Sequence, residues 1–578
     1  MASTGRFFSG KRKVIVFILV FLLILAGAFH LFITRYLPPL VRQRFISLVE
    51  KGSDSLYRAE VEKLDLSFWG GEVDFTGVSI RADSSRYQSL KASGQLPPTV
   101  VQMEVPAAVI SGLNIWSLLF SRKINIRQIN IQSARVNLST HSVADSAIAG
   151  SAPLWKIIRP GIRSLHIGSL RCGDLQLQYA AAESGSRFKC RFEKCNLLAR
   201  DIRVDSVAAT DRKRLLFTSS LALQLLDVSV KTPDGLYGLQ AKQVFYQSAD
   251  ERLVVDSFNF FPAVSDRELI QHFGYQHEIY QLKAATVTCT NFQLPQWIRS
   301  GRIVMDTLNL DKPAVFIRMD RNPPPNPYSR KGNYPSQLLL KAKFGIRIKE
   351  VKATAASVTY HETNNITGLT GRLVFPYLDG TIENITNEPD LIRTDPTCRI
   401  LINGGVMQSG KIKAGFTFNL ARTDGSFSVD AHISGLNAAQ LQTLFKAMTT
   451  TDMQSFNLQQ LDYTAQGNED RSTASLRLRY TDLDILLNKV EDDRSFNKRG
   501  FLSFLANRLG VYKNNPNGND PERTATQITS QRDATRSFFN LVWKNLYVAA
   551  GEIVLRPLGK KIAAKKANAA KQETNKIP

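Results

Sequence analysis

Three segments of this chain repeat one unusual spacing of apolar residues, and that spacing limits what the chain can fold into. Ile124, Ile126, Ile129, Ile131, Ala134, Val136 and Leu138 advance by two, three, two, three, two and two positions. Ile303, Met305, Leu308, Leu310, Pro313, Val315 and Ile317 follow the same steps, as do Ile346, Ile348, Val351, Ala353, Ala356, Val358 and Tyr360. Shorter copies start at Ile162 and Ile279. A step of two is the period of a strand with one apolar face, while a step of three inserts a residue and shifts the frame. A bulge at each shift returns the apolar residues to one side. Intervening positions such as Asn125, Arg127, Gln128 and Asn130 are polar and face water.

Similar alternation runs through Leu64 to Ile80, Leu239 to Tyr246, and residues 399–420, 426–433 and 474–480. Breaks at residues 139–153, 322–335 and 514–521 carry the composition of exposed loops. Helical spacing is expected over residues 39–56, 438–448 and 499–509 and near the C-terminus. Two architectures satisfy the pattern. Each apolar face can pack on a partner sheet as a sandwich, which spacing alone favours. Alternatively, the sheet curls into an open groove whose apolar face is partly unfilled.

Residues 14–33 form an apolar run with the length of a transmembrane helix. Arg6, Lys11, Arg12 and Lys13 precede it and argue for a cytoplasmic N-terminus. Ala26-Gly27-Ala28 has the form of a signal-peptidase site, but the run continues through Phe29, Leu31, Phe32 and Ile33, so a retained anchor is the preferred reading. The expected order is a basic segment over 1–13, the span over 14–33, a juxtamembrane helix over 34–60 and a repeating β-body over 61–490. A helical and loop region follows over 491–557, then a basic tail over 558–578.

The 578 residues carry a formal charge of +24, which raises nucleic acid as a partner. The basic residues are scattered, however, and the span removes the body from cytoplasmic nucleic acid, so none is expected to bind. The tail is the local exception: Lys560, Lys561, Lys565, Lys566, Lys571 and Lys576 face only Glu573, which suits an anionic lipid surface or a solvated end. Five cysteines form no CxxC pair and read as neither a disulfide framework nor a zinc cage. Cys172, Cys289 and Cys398 fall in strand-like runs as small hydrophobes, and Cys190 and Cys195 are near enough in sequence to pair across a turn.

The order of features narrows the choice. After the basic start and the span come Leu64-Asp65-Leu66-Ser67-Phe68-Trp69-Gly70-Gly71-Glu72-Val73, then Phe75-Thr76-Gly77-Val78-Ser79-Ile80. Ile110-Ser111-Gly112-Leu113, Trp116-Ser117-Leu118-Leu119 and the strand run 123–138 follow. This order resembles the N-terminal region of the AsmA-like family of bacterial envelope proteins, over about the first 140 residues well and more loosely beyond. The resemblance implies a mainly β fold: an elongated, strongly curved repeating sheet forming an open apolar groove, with one N-terminal transmembrane helix and a few capping helices. It also implies an inner-membrane anchor, a periplasmic body and a part in moving phospholipid toward the outer membrane. At about 4.8 Å per strand, a body of this size gives a groove on the order of 100 to 140 Å.

On that reading the candidate lipid-groove residues are Ile124, Ile126, Ile129, Ile131, Val136, Leu138, Ile303, Met305, Leu308, Leu310, Val315, Ile317, Ile346, Ile348, Val351 and Val358. Near the C-terminus, Phe539, Val542, Trp543, Leu546, Ala550 and Ile553 form one helical stripe, and with the lysine tail they suit an interfacial helix. Phe539, Val542, Trp543, Leu546, Lys560, Lys561, Lys565 and Lys566 are therefore candidate membrane contacts. A cap over the open end of the sheet is the other reading of that helix. No GxSxG, Walker or HExxH motif occurs, and His272 and His277 are not spaced as paired metal ligands on a helix. Ser495-Phe496-Asn497-Lys498 matches SxxK without its companion motifs. The expectation is a non-enzymatic, cofactor-free carrier of phospholipid or another acyl-chain lipid, acting at a membrane with envelope protein partners. The alternative is an assembly factor that conducts no lipid.

Overall fold

The period-two patterning produces strands throughout, and the chain is mainly β. The computed structural model describes residues 8–67, 71–97, 99–114, 117, 123–140, 163–183, 186–208, 211, 214–215, 217–449, 451–490, 496–498, 510–557 and 560–561. Two compact units result, one of residues 1–228 with 244–249, the other of 229–243 with 250–578. The 61–490 body expected from the repeats falls partly in each.

The first unit opens with a helix, Phe8–Leu31, a π-turn, Phe32–Tyr36, and a second helix, Leu37–Gly52. Val20 to Leu25 are exposed, and this region is long and apolar enough to cross a membrane. Its far end is anchored differently. Leu37 is buried, and Phe45 stands 5.9 Å from Phe75 on the sheet.

That sheet contains β1 (Tyr57–Ser67), β2 (Glu72–Ala82), β3 (Thr99–Ser111), β4 (Lys123–Thr140), β5 (Ser164–Glu183), β6 (Ser186–Val204) and β7 (Ser220–Lys231). Neighbours pair antiparallel except β4 and β5, which are parallel. Gly71 turns the chain between β1 and β2 at φ +58°, and a Cβ there would lie 2.9 Å from the Leu113 carbonyl oxygen. Phe68, Trp69, Gly70, Trp116, Leu118 and Leu119 lie outside the described residues.

In the second unit, β9 (Arg252–Pro262), β10 (Glu278–Thr290), β11 (Ile303–Asp311), β12 (Ala314–Asp320), β13 (Ile346–Thr363), β14 (Thr370–Thr386), β15 (Thr397–Val406), β16 (Gly410–Asn419) and β17 (Phe427–Ser434) continue through β19 (Thr451–Gly467), β20 (Arg471–Val490) and β22 (Thr524–Gln531). The strand Tyr237–Gln247 is β8, and the short β18 and β21 are Leu436–Asn437 and Phe496–Lys498. Again one relationship is parallel: β11 and β12 both run beside β13.

These parallel pairs explain the sequence repeats. Ile303, Met305, Leu308, Leu310, Val315 and Ile317 stand directly opposite Ile346, Ile348, Val351, Ala353, Val358 and Tyr360. Likewise Ile124, Ile126, Ile129, Ile131 and Ala134 face Leu165, Ile167, Leu170, Cys172 and Leu175. Like spacing lets two parallel strands keep their apolar residues level through every frame shift. The breaking segment 322–335 falls in the connection between β12 and β13, while 139–153 begins with the last two residues of β4 and continues outside the described residues.

The second step of three carries a left-handed residue at Asp174, Lys312 and Ala355, with register shifts beside Asp174 and Ala355. At the first, strand meets strand closely: a Cβ on Gly168 would lie 2.7 Å from the Arg127 carbonyl oxygen. The pair Gly404-Gly405 lies inside β15 opposite Ile412 and Lys411. Glycine is needed there because Tyr377, bulged at φ 52°, brings its carbonyl to 2.5 Å from a Cβ on Gly404.

Helices Ala438–Thr449 and Phe538–Val554 match the expected helical spacing, while residues 499–509 lie outside the described residues. Short helices at Ser84–Ala92, Asp266–Phe273, Leu294–Ser300, Pro335–Lys341 and Pro389–Thr394 were not expected. Each has fewer than three turns, too few for a periodicity to stand out.

Candidate functional site

Register turns the apolar positions into continuous rows. In the first unit, Leu64, Phe75, Ala108, Ile131, Cys172, Leu197 and Leu223 succeed one another across seven strands. In the second, Leu253, Cys289, Leu308, Val351, Ile382 and Ile400 form a row from β9 to β15. Phe416, Val429, Ala465, Ala474 and Ile528 carry it to β22, eleven strands in all. Ten strand spacings amount to roughly 48 Å of apolar surface.

Part of that second-unit face is closed. The C-terminal helix Phe538–Val554 lays Phe538, Leu541, Asn545, Ala549 and Ile553 on it, all buried. Phe538 stands 4.9 Å from Phe427 and 5.1 Å from Tyr334 as edge-on aromatic pairs. Asn545 is fully enclosed and donates to Ser472 Oγ at 3.0 Å while accepting from Ser530 Oγ at 3.1 Å. These residues and strands β15 to β20 form one core.

The face of β9 to β13 stands outside that core. Leu253, Val255, Phe258, Phe260, Leu308, Leu310, Val315, Ile317, Ile346, Ile348 and Val358 are each only half-buried. A packed sandwich would cover residues at the middle of its strands almost completely. Met305 and Val351 are buried, so the sixteen candidate groove residues do not share one environment. In the first unit Ile126 is buried, and Ile124, Ile129 and Ile131 pack half-buried on the core beneath helix Leu37–Gly52. Val136 and Leu138 are half-buried farther along β4.

The apolar rows of β10, β12 and β13 end at polar groups. Arg321 makes a bidentate pair with Glu362 at 2.8 and 3.0 Å, and Arg330 one with Glu278 at 2.8 and 3.0 Å. Gln276 accepts from Arg321 at 3.1 Å and from Arg536 at 3.0 Å. Burial together with the Glu362 carboxylate raises the Tyr360 hydroxyl well above the ordinary tyrosine value. The ion pairs saturate one another and tie the proline-rich segment to the sheet. Sequence patterning gave no sign of them, because their partners are distant along the chain.

A cavity of about 1250 Å3 opens on the other, polar side of the second unit's sheet. Thr381, Thr417, Ser428, Thr464 and Ser475 line it together with Lys413 and Asp430. Leu401, Ile402, Ala414 and Val429 also line it, so the lining mixes polar and apolar groups.

Among the proposed membrane contacts, Phe539 and Trp543 are 63% and 51% exposed, whereas Val542 and Leu546 turn inward onto the core. Tyr547, 60% exposed, belongs to the outward stripe, and its position four residues after Trp543 was the available signal. Lys560 pairs with Glu552 at 2.6 Å, Lys561 is exposed, and Lys565 and Lys566 lie outside the described residues. All five cysteines are free thiols, and burial pushes those of Cys195, Cys289 and Cys398 up to about 11. Among the described residues no group of three His, Cys, Asp or Glu is placed to hold a metal ion. His277 instead stacks on Phe273 at 3.9 Å. No family model matches the chain, and no curated protein matches it.

Proposed function

We propose that the chain is a membrane-anchored lipid carrier that holds acyl chains along an apolar strand face and moves phospholipid between envelope membranes. The carrying observation is the half-buried apolar face of β9 to β13, continuous in register yet outside the unit's core. Covering one such leucine or isoleucine with an acyl chain contributes on the order of 1 kcal/mol. A row of them holds a chain without any directional bond, and the next residue in the row offers the same contact, so sliding costs little. The exposed apolar helix at the N-terminus supports single-pass anchoring, and its basic flank supports a body outside the cytoplasm. This function requires no covalent chemistry and no cofactor.

The test is mass spectrometry of lipids that copurify with the detergent-extracted chain. Phospholipid retained through extensive washing is the expected result. A lipid-free body that retains a specific protein partner would favour the assembly-factor reading instead.

A further inference from the structure

We propose that the outward face of the C-terminal helix Phe538–Val554 docks on an anionic phospholipid bilayer. The helix is two-sided. Phe538, Leu541, Asn545, Ala549 and Ile553 are consumed by the core, so capping is complete without the opposite face. That face nevertheless presents Phe539, Trp543 and Tyr547, each more than half exposed and spaced four apart, with Val548 and Lys544 beside them. Leaving three large aromatic side chains in water is costly, and a helix needing only solubility would carry charges there.

The residue types indicate what covers them. Tryptophan and tyrosine favour the headgroup level, where the ring body is dry and the polar atom remains wet. Immediately beyond the helix the chain becomes basic. Lys560 and Lys561 are followed by Lys565, Lys566, Lys571 and Lys576, with Glu573 the sole acidic residue after Glu552. Glu552 is itself neutralised by Lys560. A protein surface would require matching shape, whereas a bilayer with anionic headgroups meets both the aromatic stripe and the cationic end. Lys544 stands beside the stripe and donates to the Gln531 carbonyl at 2.9 Å, so docking is interfacial rather than deep.

This inference rests on the C-terminal helix and the basic residues that follow it in the sequence, and it stands or falls separately from the carrier reading. Full chain held in nanodiscs of phosphatidylcholine is mixed with vesicles and separated by flotation. Vesicles containing phosphatidylglycerol should carry the nanodiscs upward, and vesicles of phosphatidylcholine alone should not. The double variant Phe539→Ser, Trp543→Ser should lower the floated fraction by roughly tenfold. Its thermal unfolding should fall only slightly, because both side chains are more than half exposed and Phe539 meets the core edge-on at Phe416 and Phe538; Leu541→Ala on the buried face should lower it further. Equal flotation with both lipids, or undiminished flotation of the folded double variant, would overturn the proposal.

Discussion

Asn545 concentrates the cost of holding the C-terminal helix in place. It is a fully buried amide whose two polar atoms are each met by one serine hydroxyl, from β20 and β22. Asn545→Ala strands both hydroxyls and leaves a cavity, so about 2–3 kcal/mol of stability should be lost, read as a lower denaturant midpoint at constant slope. An unchanged midpoint would mean water replaces the amide at no cost. His277 makes a second prediction at this scale. Burial among Phe273 and Tyr275 lowers its pKa from the ordinary 6.5, with Arg330 adding to the effect and Glu278 opposing it. The unfolded chain therefore takes up the proton first as pH falls below 6.5, and stability declines through that window toward the folded value. His361, lowered by burial and by Arg372 and Arg318, acts in the same direction. Thermal midpoints between about pH 7.5 and about pH 5.5 should drop less in His277→Phe than in the parent. Parallel curves for the two would remove His277 from the account.

Bulges decide whether a strand of the repeating type keeps its apolar side. Ala355 sits at one of them with φ 51°, its amide donating to Asp379 Oδ1 at 3.0 Å. Left-handed backbone costs an ordinary residue about 1–2 kcal/mol and a β-branched one more. Ala355→Gly should therefore raise the unfolding midpoint, and Ala355→Val should lower it; the reverse order would show the bulge relaxes when substituted. The spacing that places this bulge was plain in the sequence, as were the strands. Which strand would lie beside which was not, because period and phase are the same for a parallel neighbour and a distant copy. The sequence also marked Val542 and Leu546 together with Phe539 and Trp543, since one apolar stripe at helical spacing cannot show how a sheet divides it. Gly404 and Gly405 show the same limit: a glycine pair in a sequence suits a turn, yet here it accommodates the backbone of a bulge on the neighbouring strand.

At the scale of the molecule the anchor and the open face make separate demands. On the proposed orientation, a retained span with its basic flank inside leaves residues after Tyr36 accessible to protease only from the periplasmic side, and spheroplast proteolysis should digest the body while sparing the N-terminus. Protection of the body would reverse the orientation.

The open face is tested by charge. Leu308 and Val351 are level neighbours in one row, yet Leu308 is half-buried and Val351 is buried, so the pair separates conduction from packing. A glutamate at Leu308 can turn its carboxylate toward the open side and remain hydrated, so the fold should survive with a midpoint close to the parent's. An acyl chain sliding along the row would have to displace that hydration, a barrier of a few kcal/mol. Leu308→Glu should accordingly insert in the membrane, unfold normally, and lose copurifying lipid and lipid transfer between vesicles. Val351→Glu, buried on the same row, leaves its carboxylate less access to water and should lower the midpoint more than Leu308→Glu does. Ile129→Glu, half-buried on the first unit's core, should fall between them in stability. If Leu308→Glu unfolds as Val351→Glu does, the face of β9 to β13 is closed in solution and the sandwich describes it better. If it folds and transfers lipid at the parental rate, acyl chains do not travel along this row, because a continuous apolar path cannot carry a charge at its middle without slowing.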